Sequence, residues 1–518
     1  MIGIGTPRRL QAPLLGQRAP GNGEVDPGPS RIRRVGSYEQ ELVSVGEDGM
    51  AGVAVSTYNL TSTILGAGIL SISYALNECG VLAGVAFLGI TATASTMSCN
   101  LLLSAYLRTG RGSYGDLTLY LFGHAASSWV KWIIILLNIG AASGYILVVK
   151  DLLPESLCQL FGGSFCGNDT LITGLLVAFI VFPLCTLKNI SSLRHTSFLA
   201  FGFAIFLTVA ISVRSLQYGE YCEVKLVPTS VLGAFKALPV FCFSFVCHLN
   251  VLPVYDQLHS RTPLMMRAVF RNAISFAYLL YCFSGTLGYL RFNCGVVPGN
   301  ILAFGYFGAK DPLIACARIA EALMCTLALP LIQHPTRVAL HSWLFNKEIE
   351  TDNHIDSDSE CDSDAETTAR AQQNSSRYDQ LATDDSMEDF QPDLNQLSLD
   401  LPARPVRKPA LGRSGLIRVC EAFVIMSMSF ALAMLVPDVS TIFGLLGATC
   451  CSLVCFILPG VFYRAATKDV LDLIPEDISP SSPNYSDYCR IVFQRRISLV
   501  MIVLGSLLAI FGTIAICI

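Results

Sequence analysis

Charge is scarce in this chain. Of its 518 residues only 14% are Asp, Glu, Lys or Arg, while 52% are hydrophobic. Soluble globular chains carry about 25% charged residues, and a polytopic membrane protein explains the shortfall directly. The net charge of −4 excludes little, because the basic residues are segregated rather than in excess. No nucleophile–base arrangement and no phosphate loop stands out, so neither an enzyme nor a nucleic-acid binder is expected. Gly66-Ala67-Gly68 lies inside an apolar run with no strand before it, which argues against a nucleotide loop. Residues 1–50 lack the apolar core of a signal peptide, so the first span serves as an uncleaved insertion signal. Cysteine is not scarce: there are nineteen, but no pair has zinc-ligand spacing. Most lie in apolar runs, for example Cys242, Cys247, Cys450, Cys451 and Cys455, where cysteine packs as a small hydrophobe.

What the chain has is long apolar runs. A bilayer crossing takes about 20 apolar residues, and about eleven runs qualify. They lie near 53–76, 81–105, 130–150, 170–187, 196–216, 234–255, 270–290, 312–335, 418–437, 440–462 and 497–518, the fourth being short. Basic residues concentrate in alternate connections: Arg108 and Arg111, Lys188 and Arg194, Arg261 and Arg267, Arg337 to Lys408, and Arg464 to Arg496. The positive-inside rule puts these and the N-terminus in the cytosol, and an odd number of spans puts Ile518 on the other side. Cys158, Cys166, Cys222 and Cys294 fall on or near non-cytosolic connections, where disulfides are permitted. Pairing of Cys158 with Cys166, pairing of Cys222 with Cys294, and free thiols all stay open.

Composition divides the chain into 1–50, a transmembrane block 51–345, a polar loop 346–415 and a second block 416–518. The two polar segments have the composition of disorder and are the expected contacts of cytosolic regulators. The acidic serine run from Asp356 to Asp364 reads either as a solvated linker or as a phosphorylated regulatory stretch.

Two spans are interrupted at their middles. The first reads Asn59-Leu60-Thr61-Ser62-Thr63-Ile64-Leu65-Gly66-Ala67-Gly68, and the sixth reads Phe245-Val246-Cys247-His248-Leu249-Asn250 before Pro253. A break inside a bilayer leaves backbone groups that lipid cannot satisfy, so it must line a cavity or be buried in protein. Paired breaks point to a transporter's binding site. Spans one to five and six to ten would be the halves of an inverted repeat. Gly66 and Gly68 also read as close helix packing, and His248 and Asn250 as interhelical hydrogen bonds. Arg318 and Glu321, three apart on the eighth span, can pair on one helix face. Thr326 on that span either bonds its own backbone or ligates a cation.

The run Tyr58-Asn59-Leu60-Thr61-Ser62-Thr63-Ile64-Leu65-Gly66-Ala67-Gly68-Ile69-Leu70, followed by Ser73-Tyr74-Ala75, resembles the first span of the sodium-coupled neutral amino acid transporters (system A and N), within the amino acid/auxin permease family. Asn138-Ile139-Gly140-Ala141 with Tyr145 and Lys150 is similar to that family's third span, Phe243 to His248 with Leu252 to Tyr255 to its sixth, and Ile442 to Ala448 with Ile457 to Pro459 to its tenth. The likeness covers about 51–518, with 346–415 as an insertion. It implies an all-α, eleven-span, 5+5 inverted-repeat (LeuT-like) fold, and amino acid movement by alternating access. It also implies a sodium site between spans one and eight. The resulting expectation is substrate contact at Ser62, Thr63, Gly66, Ala67, Gly68, Asn138, Phe245 and His248, with a cation at Ser62, Leu65 and Thr326. The substrate carboxylate would meet backbone N–H groups at Gly66 to Gly68, and its amino group would meet carbonyls near Phe245 to His248. Ser62 stands where the family has a sodium-associated asparagine, and Glu321 where it is usually apolar, so a proton-linked vacuolar or lysosomal exporter is the alternative coupling. An amino-acid-sensing transceptor and an ion channel are the rival readings. The membrane is the plasma membrane or a vacuolar or lysosomal one.

Overall fold

The computed structural model describes residues 52–66, 68–161, 167–186, 194–218, 223–228, 230–259, 261–292, 297–303, 311–352, 415–468 and 485–517. The polar segment 1–50 and nearly all of 346–415 lie outside the described residues. Among the described residues, nine helices are long and apolar enough to cross a bilayer. A bent pair, Val53–Leu65 with Gly68–Cys79, makes a tenth, and Asp169–Cys185 is a shorter apolar helix. In chain order these elements coincide with the eleven apolar runs, the short fourth included. We number them as spans one to eleven.

Span one is Val53–Leu65 and Gly68–Cys79, with its halves bent by 55°. Span six is Val231–Ser244 and His248–Gln257. Each break follows from local chemistry. Gly66 leaves helical geometry at φ −25°, ψ −159°. Phe245 and Cys247 leave it at φ −102° and −139°. Pro239 and Pro253 flank the second break and remove helical donors. The two spans then pack in opposite senses: the first half of span one lies on the second half of span six, and the second half of span one on the first half of span six.

A broken helix ends with carbonyls that have no partner in their own ladder. Span seven (Pro263–Phe292) supplies one. Its Tyr281 hydroxyl lies 2.6 Å from the Ile64 carbonyl and 2.9 Å from the Ser244 carbonyl, so one side chain ties both breaks together.

The remaining spans brace this pair. Span three (Tyr114–Phe161) packs along span eight (Pro312–Leu344), and span ten (Val439–Ala466) against spans two (Val81–Thr109), six and eleven (Tyr488–Cys517). Span ten carries a π-helical segment, Gly447–Ile457, at its centre. At one end of the bundle Arg214 of span five (Ser197–Gln217) pairs with Asp311 at 2.6 Å. At the other, Arg337 Nη1 donates to the Cys185 carbonyl at 2.8 Å, and His341 Nδ1 meets Glu421 of span nine (Leu416–Leu435) at 2.7 Å. Cys158 is disulfide-bonded. The other described cysteines are free, so its partner lies outside the described residues, as Cys166, Cys222 and Cys294 all do.

Candidate functional site

The two breaks meet. A Cβ built on Gly68 would stand 3.1 Å from Ser244 Oγ and 3.3 Å from Ser244 Cα, ordinary space for a hydrogen but tight for a methyl. At Gly66 a Cβ would collide with the Tyr145 hydroxyl of span three. Close approach thus favours glycine at both positions, most strongly at Gly66.

A cavity opens beside this contact. Span one lines it with Thr63, Ile64 and Gly68, and span three with Leu137, Asn138, Ala141 and Tyr145. Span six contributes Phe243, Ser244, Val246 and Cys247 at its break, then Leu249 and Asn250. Span eight closes the wall with Ala328, Leu331, Ile332 and Pro335. None of these lining residues is charged. Asn138 is 6% exposed, and its Nδ2 has no hydrogen-bond partner. A buried amide donor without a partner is uncommon in native folds, and here it borders a cavity.

A short non-helical segment, 297–303, packs on the second half of span one and on span eight. Its Ile301 and Leu302 are fully buried. Ser71 Oγ donates to the Gly299 carbonyl at 2.9 Å, Ile301 N to the Leu70 carbonyl at 3.4 Å, and Arg318 Nε to the Leu302 carbonyl at 2.8 Å. The segment is thus held to the second half of span one and to span eight.

The residues expected from sequence divide into three groups. Thr63, Gly68 and Asn138 line the cavity. Ser62, Phe245 and His248 are buried beside it rather than in its wall. Phe245 packs edge-on against Tyr281, and His248 turns to a group of thiols. Gly66 reaches the cavity through Tyr145, and Ala67 lies outside the described residues. Of the cation candidates, Leu65 is fully buried, Ser62 Oγ donates to the Asn59 carbonyl at 2.9 Å, and Thr326 Oγ1 donates to the Ala322 carbonyl at 2.7 Å. The first half of span one and span eight, which carry these groups, are in contact. Arg318 and Glu321 do not form an ion pair among the described residues. Glu321 is 1% exposed, its Oε1 meets Cys325 Sγ at 3.7 Å, and its Oε2 has no partner. Sequence reasoning singled out neither Ser244 nor Leu331 and Ile332 as site residues. Ser244 sits at the second break and could have been found there, but nothing in sequence distinguishes the other two from the lipid-facing residues of their span.

The family model described as transmembrane amino acid transporter protein matches residues 50–518. The chain belongs to the transmembrane amino acid transporter family. It is 28% identical over 426 residues to vacuolar amino acid transporter 6 of Saccharomyces cerevisiae, covering 80% of this chain and 90% of that one. Its backbone is similar to that of Mhp1, a nucleobase-cation-symport-1 family transporter solved in a closed conformation with bromovinylhydantoin bound. The TM-score is 0.56 at 10% identity, over 92% of each chain. At that identity the likeness speaks for the fold alone: an all-helical bundle of the inverted-repeat kind. This member of the amino acid transporter family is a multi-pass membrane protein whose substrate is an amino acid. Carriage across a membrane is the family's activity.

Proposed function

We propose that this transporter moves neutral L-amino acids of glutamine or alanine type, coupled to a cation, by alternating access. The observation that carries the reading is the meeting of two backbone breaks at Gly68 and Ser244, beside a cavity where Asn138 presents an unpartnered amide donor. A zwitterion needs donors for its carboxylate and acceptors for its ammonium group. The N-terminus of Gly68–Cys79 offers backbone N–H groups, and a helix start favours an anion. Asn138 Nδ2 adds a donor. Carbonyls freed in the stretch from Phe245 to His248 offer acceptors, the arrangement expected of half-helices in a transporter. The uncharged wall suits a substrate side chain without charge, because an ion buried there would lack a counter-ion.

For the coupling cation we place sodium first, at the carbonyls near Ser62 and Leu65 with the Thr326 hydroxyl. Ser62 and Thr326 both give their protons to their own helices. That leaves oxygen lone pairs, the part of a hydroxyl a cation uses, so back-bonding and cation ligation are compatible. The second reading is a proton carried by Glu321, and its unpartnered Oε2 favours it. An intramembrane carboxyl is costly and marks ion pathways. Segment 297–303 then serves as the gate on the non-cytosolic side, with the N-terminus and the basic connections in the cytosol. Likeness to a vacuolar relative supports a vacuolar or lysosomal membrane over the plasma membrane. Regulators would act through 1–50 and 346–415.

The test is counterflow of radiolabelled amino acids into proteoliposomes, with sodium and proton gradients imposed separately. Saturable exchange of neutral amino acids is expected. Binding without flux would replace the carrier with a sensor, and currents far above carrier turnover would replace it with a channel.

A further inference from the structure

The second break carries a group of donors that the amino acid site leaves unused. Cys247 ends the unwound stretch of span six and His248 begins the next helix. Cys99 of span two lies against them. Cys99 Sγ and Cys247 Sγ are 3.8 Å apart, and both sulfurs lie within 4.8 Å of a His248 ring nitrogen. None of the three residues is more than 1% exposed. No well-formed hydrogen bond reaches either nitrogen of His248, and the Cys455 thiol stands beside the ring. A fully buried imidazole set among thiols, with no well-formed hydrogen bond, requires an explanation.

We propose that Cys99, Cys247 and His248 form a binding site for a thiophilic divalent cation, zinc in the first instance, and that its occupancy holds the carrier still. Geometry supports the assignment. Tetrahedral zinc holds each thiolate sulfur at about 2.3 Å, which sets two such sulfurs about 3.8 Å apart. Charge supports it too. On binding, the two S–H bonds break and both protons leave to cavity water, two S–Zn bonds form, and His248 gives a nitrogen lone pair. Two thiolates neutralise the ion, so the buried site carries no net charge. Ions enter from the cavity, because Cys247 also lines its wall. A cavity water takes the fourth position.

The surroundings are fixed. Ser98 Oγ donates to the Cys455 carbonyl, and the Tyr114 hydroxyl donates to the Val454 carbonyl at 3.1 Å. Span ten is thereby tied to spans two and three beside the thiols. The Cys455 thiol lies close enough to His248 to interact with it electrostatically. A metal there joins span two to the hinge of span six and blocks any rearrangement of the break. The site itself stands apart from the transport reading, whereas its effect on flux rests on that reading.

The experiment uses the full-length chain, purified with reductant. Zinc is added, excess is removed, and bound metal is counted by elemental analysis. One zinc per chain, released by chelator, is expected. Alkylation followed by mass spectrometry should show Cys247 and Cys99 protected by zinc, while Cys489, which is exposed and not one of the three ligands, is modified equally with and without it. Cadmium in place of zinc should give a sulfur-to-metal charge-transfer band that Cys99→Ser reduces at least by half. Equal labelling of Cys247 with and without zinc would overturn the site, and that comparison needs only the unaltered chain. Protection reversed by reductant but not by chelator would also overturn it, in favour of a Cys99–Cys247 disulfide. Zinc should slow counterflow at least tenfold, with recovery on chelation. Unaltered flux alongside intact protection would reject the braking role and keep the site.

Discussion

The Tyr145 hydroxyl stands in the space that a side chain on Gly66 would occupy. Span three thus reads the first break directly, and the aromatic ring and the glycine form one fitted contact at the edge of the cavity. A Cβ on residue 66 would have to displace the Tyr145 ring.

Gly66→Ala should reduce transport by more than tenfold, and Gly66→Leu should abolish it, with folded protein still in the membrane. If the clash with Tyr145 is the cause, Tyr145→Ala in the Gly66→Ala background should return part of the loss. Neighbouring residues that share a contact are expected to couple in this way, by about 0.5–3 kcal/mol. Additive losses in the double variant would assign the Gly66 effect to backbone conformation alone. Unchanged kinetics in Gly66→Leu would remove this segment from the site.

Tyr281→Phe removes the hydroxyl shared by the Ile64 and Ser244 carbonyls. Leaving a buried polar group unsatisfied costs about 1–3 kcal/mol. The variant should melt at a lower temperature in detergent and exchange substrate more slowly. An unshifted melting temperature would mean that water or a neighbour already serves these carbonyls.

Asn138→Ala deletes a buried, unpartnered amide donor in the cavity wall. A hydrogen bond to a charged group contributes about 1.5–3 kcal/mol, which corresponds to roughly a tenfold to hundredfold rise in half-saturation. Asn138→Asp should lose more, because it sets a carboxylate against the substrate's own. Proteoliposome uptake across a substrate series measures both, and equal affinity in Asn138→Ala would place the substrate carboxylate elsewhere.

The coupling ion separates two residues of span eight. Thr326→Ala should raise the sodium concentration needed for half-maximal transport. Glu321→Gln should leave that value alone and flatten the pH dependence only where protons couple. Under the proton reading, acidifying the side from which substrate enters speeds uptake, because the carboxyl must bind the proton before it carries it. Sodium-independent uptake driven by a pH gradient, insensitive to Thr326→Ala, would reject sodium.

Much of this architecture is legible in the sequence. Apolar runs of bilayer length specify the spans, because lipid penalises every unsatisfied polar group. Gly66, Gly68 and the stretch before Pro253 mark the breaks, because no regular helix explains such residues at mid-membrane. Asn138 and Thr63, which line the cavity, stand out in the sequence for the same reason: they are polar groups where none comes cheaply.

Rotation and partnership are decided only by the tertiary structure. Hydropathy sums over a window and is blind to which way a helix faces, so Phe245 and His248 read as cavity residues yet pack behind it. Helical spacing allows Arg318 and Glu321 to pair, but the Leu302 carbonyl takes the Arg318 Nε donor and leaves the carboxyl beside Cys325. Cys99 and Cys247 are far apart in the chain and lack any metal-ligand spacing. Packing of span two against the break of span six brings their sulfurs to 3.8 Å. The sequence determines the length and the weak points of each span, since those depend on local backbone chemistry. Which side chains meet depends on how eleven helices rotate against one another, and that is a property of the packed bundle.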